Sequence, residues 1–226
     1  MNFFLFLSII LILIFGYKIM LKNEQESRCG MVIILNGPSA VGKTSLQREF
    51  QELIGVVENK LWIKLGIDSL FDNPLPNITL DNINLYKNQN NIRWVKNTID
   101  DKNNPIVSLF LGPEGRKVIN GMHRAIAAYA KAGNNIIVDY ILYEKEWYNH
   151  FEDELKDIPH MWVKMNINLE LLEKREAARN TSPQGHARSH YYSVHDGIKY
   201  DIELDCDNKS SDELALELKN KIKNYN

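Results

Sequence analysis

Cysteine is scarce, neither charge sign prevails, and no block repeats along the chain. The two cysteines, Cys29 and Cys206, sit in unrelated surroundings, which excludes a disulfide framework and offers no zinc-type spacing. Free thiols suit a reducing compartment. With 27 basic and 29 acidic residues the formal net charge is −2. The basic excess of a nucleic-acid binder is missing, so nucleic acid is not an expected partner. The six histidines form no metal-type cluster: His123 falls on a helix face, and His186 and His190 fall in an irregular, mobile-looking segment. Lack of internal self-similarity excludes repeat architectures. What is present suits a globular domain: 226 residues, 44% hydrophobic and 25% charged, enough for one domain with a sizeable core and a short appendage.

One long apolar run opens the chain. Phe3–Tyr17 is apolar or small throughout and continues to Leu21 with only Lys18 inside it, close to the roughly 20 residues that a spanning helix needs. No Lys or Arg precedes the run and no small-x-small site follows it, which disfavours a cleaved signal peptide. Lys18, Lys22 and Arg28 lie on its C-terminal side, where the positive-inside rule puts the cytosol. The expectation is a single-pass membrane protein: an anchor at 1–22, a linker at 23–30 and a catalytic domain at 31–226 in the cytoplasm. A cleaved signal is one alternative. An over-extended start, with a cytoplasmic soluble product, is the other.

Met31–Asn36 (MVIILN) is a continuous apolar run of strand length, as in a strand buried on both faces. Helical spacing follows over Thr44–Leu53, then strands are predicted at Leu61–Ile67, Asn135–Tyr140, Met161–Ile167 and Lys199–Asp205. Helices are predicted at Glu114–Ala132, stopped by Gly133, at Glu146–Leu155, at Leu169–Arg179 and at Asp212–Ile222. The stretch from about 72 to 105 is rich in Asn, Asp and Pro and reads as a surface insert, with one helix possible at Ile92–Ile99. Strands alternating with helices imply α/β architecture: a kinase-like P-loop NTPase three-layer sandwich, with a five-stranded parallel sheet, preceded by the N-terminal hydrophobic helix. Trp62, Trp94, Trp147 and Trp162 read as packing residues.

Gly37-Pro38-Ser39-Ala40-Val41-Gly42-Lys43-Thr44 is a complete G-x-x-x-x-G-K-T placed after a buried strand and at the start of a helix. That setting separates a P-loop from an ordinary Gly-rich turn. The loop wraps phosphates with inward-pointing N–H groups, Lys43 reaches the β- and γ-phosphates, and the Thr44 hydroxyl holds magnesium. The cofactors expected are therefore ATP and Mg2+. Asp139, ending the strand NIIVD, sits where an acid completes the magnesium shell, the other reading being a cap of the next segment. Asp68 ends the second predicted strand and faces the same cleft. It is either a carboxylate that orients an acceptor hydroxyl and takes its proton or the N-cap of a helix beginning at Ser69. Arg175, Arg179 and Arg188 bracket the loop after the fourth strand, where guanidinium forks suit phosphate oxygens. Glu173, Lys174 and Glu176 make the surroundings of Arg175 look like a solvated helix face, whereas Arg179 is better placed to swing over a nucleotide.

Five segments in order, MVIILNGPSAVGKTSL, LGIDSLF, GPEGRKVINGMHRAIAAYAKAGNNIIVDYIL, REAARNTSPQGHARSHYYSVHDG and YDIELD, together resemble the chloramphenicol phosphotransferase family of P-loop kinases. The resemblance runs from about Met31 to the C-terminus, outside the Asn-rich insert. It implies a short lid over residues 175–190 and makes Asp68 the general base; Lys43, Arg179 and Arg188 complete the expected catalytic set. His195 and Tyr200-Asp201 match family positions that bracket the last strand. This chain departs from the family where Tyr140 follows Asp139 and where Ser182 replaces an expected arginine, which shifts lid charge toward Arg188. The expected partner is a small-molecule hydroxyl acceptor. A kinase for a nucleoside, nucleotide or other metabolite is an alternative, and a membrane-anchored nucleotide-binding module with little transfer activity is another.

Overall fold

The computed structural model describes residues 29–66, 92–100, 103–179 and 183–223. Seven strands and six helices follow in order: β1 (Val32–Asn36), α1 (Lys43–Glu58), β2 (Trp62–Gly66), β3 (Ile92–Ile99), β4 (Pro105–Leu111), α2 (Pro113–Lys131), β5 (Asn135–Tyr140), α3 (Lys145–Leu155), β6 (His160–Asn166), α4 (Leu169–Ala177), α5 (His186–Tyr191), β7 (Ile202–Asp205) and α6 (Ser211–Lys223).

The five strands predicted from sequence form one parallel sheet in the order β2-β5-β1-β6-β7. Its centre is β1, where all five residues are buried. Alternation along β1 divides the core. Val32 and Ile34 join Ile119, Met122 and Ile126 of α2 and Trp147 and Phe151 of α3 on one face. Ile33 and Leu35 join Leu46, Phe50 and Ile54 of α1 and Leu214 and Leu218 of α6 on the other. Three layers result, because a central strand must bury both of its faces. Fully burying one such Phe or Leu contributes about 1.5–3 kcal/mol.

Local chemistry sets the helix ends. Pro113 opens α2 after the extended Gly112, Glu114 lies in the first turn and Lys131 in the last, each charge matching the helix dipole. Gly133, at φ 90°, then turns the chain and donates its N–H to Ala130 O at 2.9 Å.

Three expectations need correction. The segment read as an optional helix, Ile92–Ile99, is strand β3, paired antiparallel with β4 in a hairpin with an irregularity between Lys96 and Thr98. Its sequence is rich in β-branched and aromatic residues, which favour a strand when a partner is available. The partner is supplied by the turn: Asp100 accepts the Asn104 backbone N–H at 2.7 Å, and Asn103 adopts φ 62°, the left-handed conformation that Asn tolerates. The irregular segment before His190 contains α5, and His186 and His190 are buried there at 3% and 4% exposure rather than mobile on the surface.

The third correction concerns the single-pass membrane protein. Among the described residues no helix is long and apolar enough to cross a membrane. The apolar run at 1–22, on which that expectation rested, lies outside the described residues.

Candidate nucleotide and phosphoryl-transfer site

The P-loop links the buried end of β1 to the first turn of α1. Gly37 starts it against β6: a Cβ there would stand 3.0 Å from Met165 O, so a larger residue would push the loop off the sheet. Ala40 has φ 67° and Gly42 φ 112°, the paired left-handed turns that curl backbone amides inward. Just before the loop, Asn36 is fully buried and fixes three segments at once. Its Nδ2 donates to Val194 O at 2.8 Å and to the Tyr200 hydroxyl at 2.6 Å, and its Oδ1 accepts the Leu142 N–H at 3.0 Å. His195 Nδ1 lies 2.7 Å from the same hydroxyl. Burial, and Lys164 nearby, lower the His195 imidazole to about 4, so this knot is neutral at ordinary pH.

The loop brings the predicted residues together. Lys43 is 5% exposed, and its Nζ donates to Gly37 O at 3.0 Å and Pro38 O at 2.9 Å. The same ammonium is 3.6 Å from Asp139 Oδ1, and the Thr44 hydroxyl donates to Asp139 Oδ2 at 2.5 Å. Parallel pairing explains the meeting: Leu35 of β1 and Gly66 of β2 both register with Asp139 of β5, so the three strands end side by side. A hydroxyl and a carboxylate side by side are the hard oxygen donors that suit magnesium. Arg179, exposed beyond the end of α4, completes a polar hollow with Ser39, Ala40, Gly42, Lys43, Thr44, Asp139 and Ile141. A larger cavity of about 560 Å³ lies at the opposite, N-terminal end of the sheet, between Met31, Phe50, Trp62 and Lys219. Size alone would choose wrongly here; the donor chemistry identifies the hollow.

The three arginines part company. Arg175 donates Nη1–H to Val41 O at 3.0 Å and Nη2–H to Cys206 O at 2.9 Å. Expected at the nucleotide phosphates, it instead ties the P-loop from behind to the end of β7. Arg188, expected to carry the lid's charge, is paired with Asp100 at the hairpin tip and Glu173 on α4, and its buried Nε has no partner among the described residues. Two carboxylates already take up that charge, which leaves Arg179 as the arginine at the hollow. Asp68 lies outside the described residues, two positions beyond the last register pair of β2.

Arg175→Ala would orphan two backbone carbonyls, a loss of about 1–3 kcal/mol, and would let Val41 drift from its place. Urea unfolding should show that loss and nucleotide affinity should fall with it. Unchanged stability and unchanged affinity together would contradict the tie.

Sequence reasoning missed Glu176. It is buried, with its carboxyl pKa raised by desolvation, yet it accepts the Gly185 N–H at 2.8 Å and the Ala187 N–H at 2.6 Å. Amid Glu173, Lys174 and Arg175 it looks like one more surface charge. Its only local sign was its i, i+4 spacing from Leu172, the other buried residue of α4.

Comparison with known proteins agrees with this geometry. A family model described as "Chloramphenicol phosphotransferase-like protein" matches residues 30–223. Sequences from two strains of Mycobacterium tuberculosis, each named "Putative O-phosphotransferase", are 31% identical over 192 residues, covering 84% of this chain and 80% of theirs. Among solved structures, an APS kinase from Mycobacterium tuberculosis in complex with AMPPNP and APS superposes with a TM-score of 0.55 at 16% identity, covering 87% of this chain and 99% of that one. Shikimate kinase from Acinetobacter baumannii gives 0.53 at 13%, covering 90% and 97%, and a gluconokinase from Sinorhizobium meliloti 0.53 at 13%, covering 88% and 94%. At such identities the structures report a shared kinase fold.

Proposed function

The chain belongs to the chloramphenicol phosphotransferase-like family, and on that premise we propose that it transfers the γ-phosphoryl group of ATP to a hydroxyl of a small molecule. Membership supports phosphotransfer as the class of reaction. The observation that carries the finer reading is the convergence of Lys43, Thr44 and Asp139 at one end of the sheet.

In this reading the P-loop amides and Lys43 hold the β- and γ-phosphates. Lys43 does so by exchanging the carbonyls of Gly37 and Pro38 for phosphate oxygens. Thr44 and Asp139 would hold magnesium, which supplies charge neutralisation for the transferring group when bound. Arg179, just past the end of α4, closes on the γ-phosphate within the segment 175–190 taken as the lid. Asp68, two residues past β2 in the chain, would receive the proton of the attacking hydroxyl. A bond forms from the acceptor oxygen to the γ-phosphorus, the bond to the β–γ bridging oxygen breaks, and ADP leaves.

A screen of hydroxylated metabolites and antibiotics for acceptor-dependent ADP release tests the proposal. At least one acceptor should raise ADP release and appear as a phosphomonoester by mass spectrometry. Tight ATP binding with no stimulated release across the panel would leave a nucleotide-binding module instead.

A further inference from the structure

Helix α5 sits where the P-loop, α4 and the hairpin meet. Gly185, just before it, donates its N–H to Glu176 of α4 and accepts the Val107 N–H of β4 at 3.2 Å. One turn on, His190 reaches the P-loop: the Ser39 N–H donates to His190 Nε2 at 3.0 Å. The neighbouring serine sets the tautomer. Its hydroxyl donates to His186 O at 2.7 Å, which leaves the Ser189 oxygen to accept the His190 Nδ1–H at 3.2 Å. Nε2 is therefore the nitrogen with the lone pair, as the Ser39 N–H requires. Burial, with His186 and Lys43 close by, keeps the ring neutral, and Tyr143 packs edge-on against it at 5.1 Å between centroids and 66° between planes.

The next residue shows what the contact is for. Ala40 holds φ 67° without being glycine, a conformation that persists only where the surroundings impose it. The loop curls its amides toward phosphate through that residue, and the hydrogen bond immediately before it comes from 151 positions away.

We propose that His190 is a positioning residue of the nucleotide site: by accepting the Ser39 N–H it holds the outer side of the P-loop and imposes the left-handed turn at Ala40. The inference rests on the reading that this loop binds ATP. His190 touches no reacting atom; it acts through the loop.

The test compares MgATP dissociation constants, by displacement of a fluorescent ATP analogue, for wild type, His190→Phe, His190→Gln and Ser189→Ala, with thermal unfolding alongside. Phenylalanine fills the space and offers no acceptor, so affinity should fall about tenfold, the worth of one partly buried N–H left unpaired. Glutamine offers a carbonyl oxygen and should bring affinity back to within about threefold of wild type. Ser189→Ala keeps the ring and releases its tautomer, and should cost about threefold, so it tests the role even if the phenylalanine variant fails to fold. Equal losses in the Phe and Gln variants would assign the effect to packing and overturn the role. Unchanged affinity in both His190→Phe and Ser189→Ala would overturn it too, while leaving ATP binding by the wild type intact. A wild type that binds no ATP would overturn the nucleotide reading and the role together.

Discussion

Lys43→Ala is expected to lower turnover by about 10²-fold, the scale on which a preorganised donor to developing charge contributes. The ammonium is 5% exposed and held by Gly37 O and Pro38 O beside Asp139, within the loop that would wrap the phosphates. As the γ-phosphoryl group moves, charge gathers on the β–γ bridging oxygen, and a cation that follows it is stronger in the transition state than in the ground state. Loss of Lys43 should therefore appear in kcat as well as in nucleotide affinity. Alanine also removes the ammonium from Gly37 O and leaves Pro38 O only the longer bond from the Val41 N–H at 3.3 Å, so circular dichroism and thermal unfolding must show a folded protein before the kinetics are read. Wild-type turnover in a folded Lys43→Ala protein would remove the P-loop from the mechanism.

Asp68→Asn should have the other large effect, and its signature differs. Asparagine keeps the shape, and it caps a helix about as well as aspartate. It cannot accept the proton of an acceptor hydroxyl. If Asp68 is the base, acceptor-dependent transfer should fall by roughly 10²–10⁴-fold, the usual contribution of general acid–base catalysis. Nucleotide affinity should be nearly unchanged, because β2 lies at the sheet edge, with β5 between it and the strand that feeds the P-loop. Pairing ATP binding with ADP release in the same preparations separates the two roles. Near-normal transfer by Asp68→Asn would reduce Asp68 to a cap and leave the P-loop assignment standing.

The sequence was most legible where the chemistry is contiguous or where burial imposes a period. All five sheet strands were predicted: four from largely apolar runs, as inner strands demand, and β7 from its alternation, which matches its burial at every second residue. The hairpin was not legible. Its residues from Ile92 onward pair with β4 across a turn built by Asp100 and Asn104, and β-propensity depends on such partners more than on the strand itself. The polar, Asn-rich composition around it resembles loop, and the local pattern carries no mark of the pairing.

By itself, then, the sequence determined the sheet, the octet Gly37–Thr44 and the position of Asp139, since a P-loop needs only neighbours in the chain and Asp139 ends an apolar strand. Where the long polar side chains go was decided by the tertiary structure. Arg175, Arg179 and Arg188 look alike in sequence, yet the first ties Val41 to Cys206, the last is neutralised by Asp100 and Glu173, and only Arg179 lines the hollow. His190 looked like a surface residue of a loop and is instead the acceptor for Ser39. A guanidinium or imidazole is flexible and chemically versatile, so its role is set by the partner within reach, and that partner is brought by the fold from far along the chain.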